Sequence, residues 1–175
     1  MKLDLYKDQI LKLAGSIPRV GRLSAPDATA TAHSRLCGSR ITVDIKLDDN
    51  VIIDYAHDSK ACAIGKASAS VVAGVVVGLT TKDVYEGAEI MSLILRDKTP
   101  PPPGLWSALE PFLPVADFRS RHHSAFLPFE ALQRAIAEAN PSQAREADVA
   151  LGLEQDVRRW SSGSVSKEDH EAALD

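Results

Sequence analysis

The segment Arg40-Ile-Thr-Val-Asp-Ile-Lys-Leu-Asp48 alternates apolar and polar residues without a break. Successive side chains of a β-strand point to opposite faces of its sheet. This period of two therefore predicts an antiparallel strand with one face buried and the other in solvent. Asp48-Asp49-Asn50 is typical of a turn, and Val51–His57 predicts the returning strand of a hairpin. The sheet of the protein is expected to be built around this hairpin.

The segments on either side of the hairpin are less regular. Apolar residues at helical spacing predict a first helix over residues 4–15, and Gly15 supplies a stop. Residues 16–36 contain prolines, glycine and many small residues, which favours a long irregular segment or an edge strand. After Asp58-Ser59-Lys60, a third short strand is expected to run into Cys62.

Helices are predicted for most of the chain after Cys62. The small residues of Ile64–Leu79 indicate a helix packed tightly on the sheet, although the β-branched run Val75–Val77 leaves a strand open. The later predictions are a helix over Lys82–Arg96 capped by Thr80 or Thr81 with Asp83, a short helix over Leu105–Phe112, a loop over Pro114–Phe118, and a last helix over His122–Ala139 broken in its first turns by Pro128.

Taken together, these elements predict an α+β fold: a small antiparallel sheet of about three strands with helices packed on one face. Residues 1–140 form the predicted domain. Residues 141–175 form an appendage, helical over residues 144–160 and disordered beyond. The net charge of −4 offers no basic face for nucleic acid, and no apolar run is long enough to cross a membrane. Acidic residues near the N-terminus argue against a signal peptide, so a cytoplasmic protein is expected.

The chain has two cysteines, Cys37 and Cys62. A reducing cytoplasm favours thiols, metal ligands or redox groups over a permanent disulfide. Cys62 precedes a helix N-terminus and follows Lys60, and both features favour a thiolate. Gly38 after Cys37 lets the backbone approach a bound ion closely. From the residues alone, a shared metal site and a pair of inert buried thiols both stay open.

Any further ligands have few sources in this sequence. His122 and His123 begin the last predicted helix, and imidazole joins thiolate in many iron and zinc sites. Two adjacent helical residues point about 100° apart and rarely both reach one ion. His57 and Asp58 lie near a strand end and are expected to be solvated.

Four stretches resemble the iron–sulfur cluster assembly scaffolds related to IscU, SufU and the N-terminal domain of NifU. They are Pro18–Gly21, Leu36–Asp49, Ala61–Val72 with its Cys-Ala-Ile and Ala-Ser-Ala-Ser motifs, and Arg121–Leu132. The resemblance implies an α+β fold, in agreement with the reading above.

The resemblance also implies a ligand set. Cys37 and Cys62 match two ligand cysteines of the family, and His123 matches the histidine before its third cysteine. Two positions depart: Ser39 stands where the family has an aspartate, and Ser124 where it has the third cysteine. Both serines are expected to be hydrogen-bonding neighbours, because a hydroxyl loses its proton far less readily than a thiol. His122 would then complete a shell of two cysteines and two histidines.

What the resemblance implies for function is a non-enzymatic scaffold or carrier. Such a protein binds iron and a labile [2Fe–2S] cluster, receives sulfur from a cysteine desulfurase and passes the cluster to acceptor apo-proteins. A homodimer around the cluster is left open. The alternative is a zinc-binding regulatory module that docks the desulfurase without building clusters. A third hypothesis, which needs Cys62 alone, is an enzyme that accepts a persulfide on Cys62 and transfers it onward.

Overall fold

The computed structural model of the protein describes residues 2–141 together with Arg158. The helix predicted over residues 144–160 and the polar tail after it lie, apart from Arg158, outside the described residues. The elements, in chain order, are α1 (Lys2–Gly15), β1 (Ala28–His33), β2 (Arg40–Asp48), β3 (Val51–Lys60), α2 (Ala63–Val75), α3 (Thr81–Asp97), a 3₁₀ helix (Leu105–Asp117) and α4 (Arg119–Ala139). Within the described part, none of the helices combines the length and apolarity that crossing a membrane requires.

The sheet has three antiparallel strands in the order β1-β2-β3. The hairpin prediction is confirmed, with Asp49 and Asn50 in the left-handed conformation at the turn. The separate strand expected before Cys62 is wrong, because β3 continues to Lys60. The third strand is instead β1, from the segment predicted to be irregular or an edge strand. Its alternating alanine and threonine gave only a weak apolar signal, and pairing with β2 compensates for that weakness.

Only one face of β2 was expected to be buried, and this is wrong over the middle of the strand. Ile41, Val43 and Ile45 enter the core as predicted, but Asp44 on the other face is also fully buried. The segment between α1 and β1 lies across that face. From it, Arg22 holds the Asp44 carboxylate through Nε at 2.7 Å and Nη2 at 2.9 Å. The irregular segment therefore covers the sheet with paired polar groups.

The helix predicted from the small residues after Cys62 is confirmed as α2, and the strand alternative over Val75–Val77 is wrong. Small residues allow α2 and α4 to approach closely. A Cβ added at Gly65 would lie 3.3 Å from the backbone oxygen of Ser124. The cap predicted for α3 is also present, with Thr80 and Asp83 forming a capping box. The close approach of Gly65 to Ser124 fixes where the N-terminus of α2 lies against α4.

Two predictions for the last third of the chain are wrong. The loop expected at Pro114–Phe118 is part of the 3₁₀ helix as far as Asp117, and α4 runs through Pro128 without a break. Proline at this position cannot donate a backbone hydrogen bond to the preceding turn. Nearby, the Ser68 hydroxyl of α2 donates to the carbonyl oxygen of Ala125 at 2.6 Å. This bond reaches the carbonyl next to that of Ser124, the group that would have accepted a hydrogen bond from residue 128, so α2 packs directly on the interrupted turn.

Candidate functional site

The two cysteines lie at the edge of one cleft. Cys37 belongs to the loop between β1 and β2, and Cys62 is the residue that precedes α2. The cleft has a volume of about 390 Å³. Its lining residues are Cys37, Gly38, Ser39, Ser59, Lys60, Ala61, Cys62 and Lys66. The fold therefore brings together two thiols that are far apart in sequence, and neither forms a disulfide.

Local hydrogen bonds hold the Cys37 loop in a tight turn. The backbone nitrogen of Gly38 donates to the Ser34 carbonyl at 2.9 Å, and that of Ser34 donates to the Ser39 carbonyl at 2.8 Å. Gly38 has a φ of 68°, a left-handed conformation that glycine adopts without the steric cost of a Cβ. The glycine after Cys37 therefore has a structural role in shaping the turn that presents the thiol.

Serine hydroxyls surround the Cys37 sulfur. The Cys37 thiol donates to Ser39 Oγ at 3.0 Å, and Cys37 Sγ lies 2.7 Å from Ser124 Oγ. Both serines are buried, as is Ser34 in the same loop. Ser39 and Ser124 are thus hydrogen-bonding neighbours of the thiol, as the sequence predicts. We refer to Ser34, Ser39 and Ser124 as the hydroxyl cradle.

The cradle changes the acidity of Cys37. Partial burial raises the pKa of the thiol, but hydrogen bonds from Ser124, Ser34 and Ser39, together with the Ser39 backbone, outweigh it and lower the pKa from 9.0 to about 7. A hydroxyl or N–H that points at sulfur favours the anion, which accepts hydrogen bonds better than the neutral thiol does. At neutral pH a large part of Cys37 is therefore thiolate, the form that binds metals and attacks electrophiles.

Cys62 is linked to the same cradle through its backbone. Its amide nitrogen donates to Ser39 Oγ at 3.3 Å, so Ser39 contacts both cysteine loops. Cys62 is also the N-cap residue of α2, with no side chain capping that helix end and no acidic residue in its first turn. The exposed N–H groups and the helix dipole give this side of the cleft a partial positive charge.

The two histidines proposed as ligands are not among the residues that line the cleft. His123 is buried, and its Nε2 lies 2.7 Å from Glu130 Oε2. Glu130 also pairs with Arg134, whose other guanidinium nitrogen donates to the Thr31 carbonyl of β1. Nδ1 of His123 is buried without a hydrogen-bond partner in the described residues. The ring is thus anchored on one side and has one free nitrogen, and its role as a ligand stays a prediction.

His122 points elsewhere. Its Nε2 lies 3.0 Å from the Ala116 carbonyl in the 3₁₀ helix. Burial lowers the pKa of this imidazole, and hydrogen bonding to the Ala116 carbonyl offsets part of that effect. The structure therefore directs the two adjacent histidines to different neighbours. A ligand role for His122 also stays a prediction.

The expectation for His57 is wrong. This residue is completely buried, because the strand segment at Val20 pairs beside it and covers the end of the sheet. Its Nε2 lies 3.1 Å from the Pro18 carbonyl, and its ring packs against Tyr55 with centroids 5.8 Å apart. Asp58 is partly exposed and pairs with Arg40 at 3.2 Å. His57 is therefore a buried core residue and is not exposed to solvent.

Two features of the site were missed by the sequence reasoning. Lys66 lies one helical turn after Cys62 and lines the cleft, a spacing that could have been noticed in the sequence. Glu130, which holds His123, lies seven residues further along α4, a separation that places it two helical turns away on the same side. Of the residues that line the cleft in the described chain, none is acidic.

The donor set fits a resident metal ion poorly as it stands. Across residues 2–141 there is no group of three or more histidine, cysteine, aspartate or glutamate side chains arranged to hold a metal ion. A structural zinc site uses four such ligands. The cleft supplies two thiols, so any metal or cluster there needs additional donors.

Comparison with known proteins finds one family model. Residues 5–101 match the NifU-like N-terminal domain. IscU 1 of Archaeoglobus fulgidus, described as an iron–sulfur cluster assembly scaffold protein, is 25% identical over 167 residues, covering 95% of this chain and 96% of the relative. SufU of Bacillus subtilis, described as a zinc-dependent sulfurtransferase, is 26% identical over 102 residues, covering 58% of this chain and 69% of that protein.

A solved structure gives the same result for the fold. The crystal structure of the N-terminal part of a NifU-like protein from Brucella abortus aligns with a TM-score of 0.76 and 41% identity. The alignment covers 79% of this chain and 96% of the other. The predicted α+β architecture, with its small antiparallel sheet, is therefore confirmed.

Proposed function

Because this chain belongs to the family of NifU-like N-terminal domains, we propose that it is a scaffold for iron–sulfur cluster assembly that presents Cys37 and Cys62 to iron and sulfide. One observation carries this assignment: the two cysteine loops line a single cleft and are joined through Ser39. The relatives described as cluster assembly scaffolds support the same general function.

The environment of the thiols suits a transient cargo. Iron binds thiolate, and with a pKa of about 7 Cys37 supplies a substantial thiolate fraction at neutral pH. Both cysteines are partly exposed, so that a [2Fe–2S] cluster can be built and released there. Two protein thiolates do not complete the coordination of such a cluster, and an incomplete shell favours its passage to acceptor apo-proteins. In this role the chain binds and hands over its cargo with no catalytic turnover.

His123 is the candidate for a third ligand. Histidines that bind metals usually donate their second ring nitrogen to a carboxylate or carbonyl, and His123 has this arrangement with Glu130. Its free Nδ1 would be the ligating nitrogen. Because His123 does not line the cleft, its imidazole has to turn toward Cys37 when the cargo binds. Otherwise the remaining positions are filled from outside, by a thiol or by a second copy of the chain in a homodimer.

Sulfur for the cluster is expected from a cysteine desulfurase, a partner class in keeping with the scaffold and sulfurtransferase relatives. The zinc-binding regulatory alternative has one observation in its favour, the zinc dependence in the description of SufU. A structural zinc ion needs four ligands, whereas the cleft offers two thiols beside two lysines, so this alternative is the weaker one.

Anaerobic reconstitution tests the assignment. The purified protein is incubated with iron, sulfide and a thiol, desalted, and assayed for visible absorption, iron and acid-labile sulfide. Wild type is expected to hold a cluster, Cys37→Ser and Cys62→Ser to lose it, and His123→Ala to hold less of it. His33→Ala, which changes an exposed histidine at the end of β1, is the matched control and should behave as wild type.

Two results would contradict the assignment. A wild-type protein that is folded by circular dichroism but acquires neither iron nor sulfide would exclude the scaffold role. Stoichiometric zinc in protein isolated without reconstitution, unaffected by iron loading, would favour the zinc-binding alternative instead.

A further inference from the structure

Four consecutive prolines, residues 100–103, follow α3, and three of them are exposed. Each proline ring fixes its own φ at about −65° and disfavours the helical region for the residue before it, so these residues form an extended polyproline segment about 12 Å long. We call this segment the proline strap. Lys98 ends α3 in the left-handed conformation just before the strap, and the buried ring of Trp106 lies against Gly87 just after it. Both ends of the strap are therefore anchored on the fold.

Two large apolar side chains beside the strap are also exposed. Leu105, which is 44% exposed, follows its last residues, and Phe118, which is 55% exposed, is the residue before α4. The ion pair between Lys98 and Asp117 brings the start of the strap next to Phe118. Exposed apolar side chains that adjoin one another commonly mark an interaction site.

The chain after residue 141 starts at the opposite end of the same two helices. Asn140, at the end of α4, donates from its side-chain amide to Asn50 Oδ1 at 3.0 Å. The Asn50 carbonyl accepts from the backbone nitrogen of Thr81, at the start of α3, at 2.8 Å. The helices α3 and α4 therefore run antiparallel, and the strap lies at their far end. Since α3 has 17 residues, a segment returning along it must span about 25 Å to reach the strap.

The sequence after residue 141 matches this distance. The helix predicted over residues 144–160 would also be about 25 Å long, and Arg158 within it is helical. Its spacing places four apolar residues on one side, namely Ala150, Leu153, Val157 and Trp160. Trp160 is the one aromatic residue of the sequence after residue 141, and it ends the predicted helix. The tryptophan would therefore arrive at the strap.

Tryptophan and the strap are chemically complementary. Polyproline segments are bound by aromatic side chains, because flat rings pack on proline rings that have little conformational entropy to lose. The charges agree as well. The sequence after Trp160 has four acidic residues and one lysine, and Arg119 and Arg121, which follow Phe118, are exposed. Opposite charges attract within a distance of about 8–10 Å at ordinary ionic strength.

We propose that residues 142–175 fold back along α3 and α4, and that Trp160 packs on the proline strap beside Phe118. The occupant of this apolar surface is thus a segment of the same chain. Neither the strap nor Phe118 lines the cleft beside Cys37 and Cys62. The inference therefore goes beyond the scaffold function and needs neither a metal nor a cluster.

Fluorine NMR of the full-length chain labelled with 5-fluorotryptophan tests the docking directly. The chain has two tryptophans, so two resonances are expected, and Trp160→Phe assigns them. The Trp160 resonance, like that of buried Trp106, should shift little when D₂O replaces H₂O, because a packed indole ring is shielded from solvent. Phe118→Ser and Leu105→Ser should each increase this shift toward that of free 5-fluorotryptophan. Circular dichroism should show that both variants are folded.

Trypsin cleavage after Arg159, followed by mass spectrometry, measures the size of the effect. Cleavage requires the segment to leave the strap, so its rate follows the undocked fraction. Phe118→Ser should accelerate cleavage roughly tenfold, the factor expected when about half of a buried phenylalanine contact is lost. Ile53→Ser is the matched control. It removes a side chain that is 51% exposed, three residues from Asn50 at the other end of the helices, and should behave as wild type.

Three results would overturn this inference. A Trp160 resonance with the solvent shift of free 5-fluorotryptophan would show that the segment is undocked and that the strap is open to another protein. Equal acceleration by Ile53→Ser would place the segment at the other end of the helices. Protection from trypsin that is lost on dilution would mean docking on a second copy of the chain. A failed cluster reconstitution is a separate result, because neither measurement uses iron or sulfide.

Discussion

Replacing Ser124 by alanine should raise the pKa of Cys37. The Ser124 hydroxyl lies 2.7 Å from Cys37 Sγ and favours the thiolate. A hydrogen bond to a charged group contributes about 1.5–3 kcal/mol, and one pKa unit corresponds to about 1.4 kcal/mol. Because Cys37 is partly exposed, solvent screening favours the lower end of this range. We therefore expect the pKa to move from about 7 to about 8.

The assay is the pH dependence of iodoacetamide alkylation, measured in a Cys62→Ser background so that only Cys37 reacts. The midpoint of the profile is the readout. The rate at a single pH is less informative, because a more basic thiolate is also intrinsically more nucleophilic. In the parent the midpoint is expected at about 7.

Ser68→Ala is the matched control. It removes a buried hydroxyl from the same contact between α2 and α4, one that donates to the Ala125 carbonyl and does not touch Cys37. Its midpoint should equal that of the parent. If Ser124→Ala leaves the midpoint near 7, or if Ser68→Ala moves it equally, the hydroxyl cradle is not the cause of the acidity of Cys37.

Three further predictions concern stability, measured as the free energy of unfolding in urea. Gly87→Ala should lose about 1–2 kcal/mol of stability, because the added Cβ would lie 2.4 Å from the Trp106 ring. Gly74→Ala, whose Cβ would have nothing within 4 Å, should be neutral or gain up to about 1 kcal/mol, and equal effects of the two substitutions would refute the close packing. Asp44→Asn should cost about 2–3 kcal/mol, because the buried carboxylate accepts four hydrogen bonds, and a loss below about 0.5 kcal/mol would contradict this. Burial lowers the pKa of His57, so the neutral imidazole contributes its full stabilisation above pH 6.5, and this contribution is lost as the pH falls through the lowered pKa. The stability of His57→Gln should therefore fall less between pH 7.5 and pH 5.5 than that of wild type, and an equal fall would contradict this account.

Much of the fold could be predicted because strong local patterns coincide with the tertiary structure. The alternation over Arg40–Asp48 predicts β2 with the same bounds, because its apolar residues Ile41, Val43 and Ile45 all face the core. The capping box of α3 depends on residues three positions apart, and the small residues of α2 set its close approach to α4. The convergence of Cys37 and Cys62 on one cleft was expected from the resemblance to cluster scaffolds, and the structure shows that cleft.

Other features depend on neighbours that are distant in the chain. β1 has little apolar content of its own, and becomes a strand because β2 offers it a hydrogen-bonding edge. Asp44 and His57 are buried because residues 18–23 cover them, which no local pattern of polarity records. Pro128 lies within α4 at a turn that packs on α2, where the Ser68 hydroxyl donates to the Ala125 carbonyl, and the local sequence does not record that contact.

Sequence by itself determined the helix and strand types of most elements and the identity of the two thiols, since these follow from spacing and side-chain chemistry. Only the tertiary structure decided the state of those thiols. Acidity depends on atoms within a few ångströms, and the Ser124 hydroxyl of α4 contacts Cys37 Sγ only because the fold brings α4 against the loop between β1 and β2.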